Sequence, residues 1–144
     1  MSIDWKPDLK YIASPYSHPD EDERARRWEE VVRAVAILTL DGHHVFSPIA
    51  HWHPVAAAHE LPKEWNFWGK LDEEMIRRCD HLWVCMMDGW KDSVGTYAEL
   101  KLAKEYGLEI AGFQIVQVSE TQSKALFMGP THELLEWLET KEDW

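Results

Sequence analysis

The stretch His81 to Met87 (HLWVCMM) constrains this chain more than any other segment. Beyond its first residue it has no polar alternation, so as a strand it leaves no face for water and belongs inside a sheet covered on both sides. The covering layers must come from the flanking sequence. Asp20 to Leu40 repeats Ala25, Trp28, Val31, Val32, Val35 and Leu38 at three- and four-residue steps, with Glu and Arg on the other face, which is the period of an amphipathic helix. Asp41-Gly42 ends it, glycine being suited to the left-handed position after a helix. Further helices are expected near Pro62 to Arg78, with proline at the first turn, and over Val94 to Tyr106, ended by Gly107. Thr131 to about Thr140 closes the chain as an amphipathic helix through Leu134, Leu135, Trp137 and Leu138.

Leu9 to Ser14 (LKYIAS, stopped by Pro15), His44 to Ser47 (closed by Pro48) and Glu109 to Val118 read as the other strands, with a loop over Ile49 to Leu61 and irregular chain over Ser119 to Gly129. Strands alternating with helices imply right-handed crossovers. The expected fold is α/β: one domain over residues 1–144, built as a doubly wound, Rossmann- or flavodoxin-like parallel sheet of about four to five strands with helices on both faces. The 144 residues suffice for one hydrophobic core, not two. With 15 Lys plus Arg against 26 Asp plus Glu the net charge is −11, which repels phosphodiester backbones and anionic membranes, so neither a nucleic-acid polymer nor a membrane is an expected partner. Cys79 and Cys85 are too few for a disulfide framework and read as reduced, buried thiols. With no apolar leader or membrane-length run, a cytoplasmic protein is expected.

In open parallel sheets ligands bind beyond the carboxyl ends of the strands, here Ser14 to His18, Ser47 to His53 and Met87 to Gly95. No GxGxxG or GxxxxGK[ST] occurs among them, so no phosphate-bearing cofactor is indicated and none is expected. Ser93 and Gly95 stand where a helix begins and free N–H groups face the cleft. Glu99, in the first turn and a half of that helix, is expected to be held ionised, as a nucleophile must be. Asp72 lies near the buried stripe of its helix beside Leu71, Met75, Ile76 and Cys79, an unusual place for a carboxylate. His51-x-His53 with His59 can be read as metal ligands on an extended segment, the basis of a metal-dependent hydrolase, or more plainly with His51 lining the cleft. Trp52, Trp65, Phe67 and Trp68 form either a wall for a planar base or a core or subunit-contact stripe.

Four segments in order, Tyr11-Ile12-Ala13-Ser14-Pro15-Tyr16, Gly42-His43-His44-Val45-Phe46-Ser47-Pro48, Leu71-Asp72 with Cys79-Asp80, and Ser93-Val94-Gly95-Thr96-Tyr97-Ala98-Glu99-Leu100, resemble the nucleoside 2-deoxyribosyltransferase superfamily. The likeness runs from about Leu9 to Gly107 and is greatest to its short bacterial and phage branch and to the deoxynucleoside 5′-monophosphate N-glycosidases. The resemblance implies a glutamate nucleophile at Glu99, an acid at Asp72, and Tyr11 hydrogen-bonded to the nucleophile. It further implies Ser93 at a 5′-phosphate and a homodimer or larger homo-oligomer, whereas base recognition over the histidine-rich loop Ile49 to Leu61 is not carried over from the family. Ser14, Pro15, Tyr16, Ser17, His51, Trp68, Asp88 and Gly95 are the other expected substrate contacts, from their own places in the sequence. The expected substrate is a small nucleoside or nucleotide, with no cofactor or metal; a module that only binds and senses a nucleotide is the alternative. Where monophosphate-specific members carry serine and arginine after the first strand, this chain has Pro15 and Ser17. A phosphate then lacks that planar partner unless Arg24, Arg26 or Arg27 substitutes; the plainer reading of these three is a solvated helix face, so unphosphorylated nucleosides are expected to be tolerated. Lys101 stands where glycine is common in the family.

Overall fold

β3 (His81–Cys85) occupies the centre of the sheet, with His81 half-buried and the other four residues buried. The computed structural model describes residues 2–128 and 132–140. β3 pairs in parallel with β1 (Lys6–Ala13) on one side and with β4 (Glu109–Gln117) on the other, in registers such as Tyr11 with Leu82 and Leu82 with Ile110. β2 (His43–Phe46) adds in parallel outside β1, while β5 (Ser123–Phe127) pairs antiparallel with β4, giving the order β2-β1-β3-β4-β5.

The sheet is therefore mixed, which corrects the expectation of a wholly parallel one. Ser119 to Gly129, read as irregular, contains β5, with Phe113 opposite Phe127; Gly129 itself and Thr131 lie outside the described residues. A hairpin needs no crossover helix, only a turn. Here Ser119 Oγ accepts the N–H groups of Thr121 and Gln122, and the Val118 N–H donates to the Gln122 carbonyl at 2.9 Å.

The helices are α1 (Glu21–Leu40), α2 (Pro48–His59), α3 (Trp65–Arg77), α4 (Val94–Glu105) and α5 (His132–Thr140), with a short 3-10 turn at Trp90–Asp92. α2 is the second correction, since Ile49 to Leu61 reads as a loop. Ser47 caps it, its Oγ accepting the Ala50 N–H at 3.0 Å, and Pro48 takes the first turn, where a missing N–H costs nothing. Pro54 inside the helix conceals it in the sequence, because proline cannot bond the carbonyl four residues back. That carbonyl, of Ala50, instead accepts the Trp28 indole N–H at 3.3 Å. Asp20 caps α1 through the Asp22 N–H, and α1 ends at Asp41-Gly42 with Gly42 at φ +91°.

Alternate residues of β1 and β3 enter two separate clusters. Tyr11, Ala13, Leu82 and Val84 pack with Ile76 of α3, Tyr97 and Leu100 of α4 and Leu134 of α5. Ile12, Trp83 and Cys85 pack with Val31, Ala34 and Leu38 of α1. Burial pushes the Cys79 thiol up to about 11 and the Cys85 thiol to about 12, and both cysteines are free. No helix among the described residues is long and apolar enough to cross a membrane.

Candidate active site

Beyond the carboxyl ends of β1 and β3 lies a cavity of about 500 Å³, lined from six directions. Ser14, Tyr16 and Ser17 follow β1; Ile49, Trp52, His53 and Ala56 come from α2; Trp68 and Asp72 from α3; Gly89 and Asp92 from the chain after β3; Ser93, Gly95 and Glu99 from the start of α4. Arg27 reaches in from α1.

Two carboxyls face this cavity from within the protein, Glu99 at 3% and Asp72 at 7% exposure. Tyr11, fully buried beneath them, donates its hydroxyl to Glu99 Oε2. The expectation of a readily ionised Glu99 needs correcting. Burial first, then the neighbouring Asp72, push Glu99 well above the usual carboxylate range, and the Tyr11 hydrogen bond only partly opposes them. Burial likewise lifts Asp72 to about 7. The N-terminal dipole of α4 is worth at most about 2 kcal/mol, less than the desolvation of a buried carboxylate. Two such groups titrate as a pair that keeps one proton between them at neutral pH. The Tyr11 bond favours the charged form of Glu99 but offsets only part of the cost of its burial.

Three buried polar atoms on the cavity wall bond none of the described residues: Ser14 Oγ, Asp72 Oδ1 and Trp52 Nε1. Buried polar atoms are ordinarily satisfied, so each of the three carries an unmet bonding capacity beside the cavity. Ser93 Oγ caps α4 by accepting the Thr96 N–H at 3.1 Å, leaving its own proton to donate into the cavity.

The structure brings together Ser14, Tyr16, Ser17, Trp68, Asp72, Ser93, Gly95 and Glu99, with Tyr11 behind them. It does not bring in three others. Pro15 is buried and off the lining, and Asp88 is exposed beside Gly89. His51 is exposed, its ring against Trp52 and Phe46, because on helical α2 the cavity face is Ile49, Trp52, His53 and Ala56. Helical geometry also separates His51 from His53: residues two apart project to nearly opposite sides. His53 Nδ1 is bonded by Tyr16, and among the described residues no three His, Cys, Asp or Glu side chains group as metal ligands.

Arg27 and His53 are lining residues that the sequence reading did not place there, whereas Trp52 lines the cavity as one of its two readings had it. Arg26 does lie on the solvated face, paired with Glu23 and Glu30. The Arg27 side chain is 12% exposed and held by the Glu23 carboxylate and the Ser17 carbonyl. Gly89, at φ +91°, makes room for it: a Cβ there would stand 2.6 Å from Arg27 Nη2. A guanidinium thus lines the cavity, the less plain of the two readings of Arg27.

The cavity has two ends. Strand order places β2 and α2 on one side of β1, and β3 with the start of α4 on the other. Aromatic rings crowd the first side, with Trp52 and Trp68 centroids 5.2 Å apart and His53 against Tyr16 and Trp28. Arg27, Ser93 and the N–H groups of α4 occupy the second, a place for an anion. Asp72 and Glu99 line the same cavity. No curated protein matches the chain. Residues 9–115 match the family model described as a domain of unknown function, DUF1937, and the chain belongs to that family.

Proposed function

We propose that the chain cleaves or transfers the N-glycosidic bond of a 2′-deoxynucleoside or its 5′-monophosphate, with Glu99 as nucleophile and Asp72 as acid. The observation that carries this reading is the buried Glu99 and Asp72 pair, underpinned by Tyr11, on the wall of an aromatic cavity. Breaking the bond from C1′ to the base nitrogen leaves positive charge on the sugar, which a carboxylate stabilises or captures. Glu99 bonds C1′ as the electron pair of the glycosidic bond leaves with the base. Asp72 gives its proton to that base, which makes it a competent leaving group. Water then adds to C1′ and releases Glu99, its proton returning to Asp72; a second base in place of water makes the reaction a transfer. The Tyr11 hydroxyl that donates to Glu99 sets the two carboxyls apart, as two different roles require.

Arg27 beside Ser93 and the α4 N-terminus supports the 5′-monophosphate over the free nucleoside, since a buried guanidinium bonds phosphate in pairs. The resemblance to nucleoside 2-deoxyribosyltransferases adds to the reading, as does a doubly wound sheet, supported by the two clusters on alternate residues of β1 and β3. A cytoplasmic homodimer or larger assembly completes it; Phe67, Leu71 and Val94 are exposed at 48%, 37% and 54% beside the cavity mouth.

The test is incubation with a panel of deoxynucleosides and their 5′-monophosphates, following free base by chromatography. Base release that falls at least about 1,000-fold in Glu99→Gln and survives a chelator supports the reading. Release from no member of the panel, with tight binding of one, replaces it with a nucleotide-binding module, and loss on chelation alone replaces it with a metal-dependent hydrolase.

A further inference from the structure

His53 is the most constrained side chain on the aromatic wall. Its Nδ1 lies 2.6 Å from the Tyr16 hydroxyl. Its ring stacks on Trp28 at 5.2 Å and 30° and meets Tyr16 edge-on at 5.4 Å. Trp28 is itself tied to the Ala50 carbonyl that Pro54 leaves open. Two neighbours, Tyr16 and Trp28, thus hold one imidazole at the cavity wall through three contacts, and a ring so fixed leaves a single nitrogen, Nε2, without a partner among them.

The proton on that nitrogen follows from the other bond. Burial keeps the Tyr16 phenol protonated by raising it, and lowers His53, with Arg24 and Lys63 adding to the effect, so a neutral phenol faces a neutral imidazole. Phenol is the stronger donor and imidazole the stronger acceptor. The Arg24 guanidinium beside the phenol oxygen turns its proton the same way, toward Nδ1. Nε2 then carries the ring hydrogen, because the partner of one nitrogen sets the state of the other. The preceding residue, Trp52, adds a second N–H donor, a buried Nε1 that bonds none of the described residues. The third indole is not available, since Trp68 Nε1 donates to the Pro62 carbonyl at 2.6 Å.

We propose that His53, positioned by Tyr16, reads the nucleobase, and that with the Trp52 indole N–H it selects bases carrying a ring carbonyl over those carrying an exocyclic amine. This rests on the reading of the cavity as a nucleoside site. An aromatic face holds any base, but two N–H donors must meet acceptors, and a 6-oxopurine presents two side by side, O6 and N7. An amine turned to the same wall sets donor against donor and leaves both unpaired in a dry site, a loss that rejects a substrate far better than a missing methylene does.

The matched pair 2′-deoxyinosine and 2′-deoxyadenosine 5′-monophosphate tests this, because the two differ at the oxo or amino group. Affinities are measured by titration calorimetry on Glu99→Gln, which holds ligand whether or not the native chain turns it over. The inosine nucleotide is expected to bind about 10- to 100-fold more tightly. Adding His53→Ala, or His53→Gln where alanine fails to fold, collapses that ratio toward one by weakening the inosine nucleotide alone. Tyr16→Phe narrows the ratio and, in ring nitrogen-15 spectra, converts His53 from the Nε2–H form to a mixture, a change that loss of packing alone does not produce. Equal affinities, a preference for adenine, a ratio unmoved by His53 substitution, or no binding of either nucleotide overturns the proposal. Discrimination in binding without base release from the native chain defeats the glycosidase reading and leaves base selection standing; base release without discrimination does the reverse.

Discussion

Replacing Asp72 with asparagine should stabilise the protein, and by an amount that grows with pH. Asp72 is 7% exposed, and its Oδ1 bonds none of the described residues. Its carboxyl is held by burial at about 7 against an ordinary 3.8, a gap of about three pH units worth roughly 4 kcal/mol at about 1.36 kcal/mol per unit. The sign follows from where the proton goes. Between about pH 4 and 7 the folded protein keeps a proton on this carboxyl that the unfolded chain has released, so unfolding sheds it and rising pH favours the unfolded state. The contribution is whole below the unfolded value and is lost as pH climbs through the folded one. Asp72→Asn has nearly the shape of the protonated acid and no proton to lose. The two proteins should therefore match near pH 4 and diverge up to pH 8. Relaxation around the charge trims the final gap to roughly 2–4 kcal/mol. Urea unfolding at five pH values measures it directly, and thermal melts should show a gain of roughly 6–12 °C at pH 8, at about 3 °C per kcal/mol for a chain of this size. Parallel pH curves, or a gap widest at pH 4, would refute the account of Asp72 as a carboxyl forced into a dry site for chemistry.

The same pair shapes the pH dependence of turnover: kcat/KM should fall above about pH 7 as Asp72 loses its proton, and that descending limb should vanish in Asp72→Asn along with most of the rate. Tyr11→Phe keeps the buried volume but removes the donor to Glu99; base release should drop about 10- to 100-fold, with the ascending limb moved to higher pH because the Glu99 anion has lost its partner. Arg27→Gln should raise the KM of monophosphates relative to free nucleosides about 10- to 100-fold, in steady-state assays on matched pairs. Gly89→Ala should move that ratio the same way, because its methyl would stand 2.6 Å from Arg27 Nη2 at a backbone φ of +91°.

How much of this was legible beforehand turns on one rule applied unevenly. A charged residue on the buried stripe of a helix is there at a cost, and the cost points to use. On α3 the stripe Asp72, Ile76, Cys79 is plain in the sequence, and the structure buries all three. On α1 the buried residues are Val31, Ala34 and Leu38, and stepping back by four from Val31 reaches Arg27. Reading α1 by its apolar residues alone put Arg27 among the solvated arginines, although its own spacing put it on the stripe where the helix overhangs the strand ends. The miss at α2 has another cause. Ile49, Trp52, His53 and Ala56 recur at helical steps, but Pro54 argues against a helix, and only the tertiary structure supplies the Trp28 indole that satisfies the carbonyl left open. β5 was missed because a hairpin strand at a sheet edge has no helix before it to announce it, and Ser123–Phe127 is too short and too exposed for a hydrophobic period to show. The central strands and the place of Asp72 near a buried stripe follow from local pattern and the pairing of Asp72 with Glu99 from the family resemblance, whereas the walls that would choose a substrate depend on which helix face turns inward. Arg27 and His53 are thus where a substitution should change what the cavity accepts while leaving the Glu99–Asp72 pair in place.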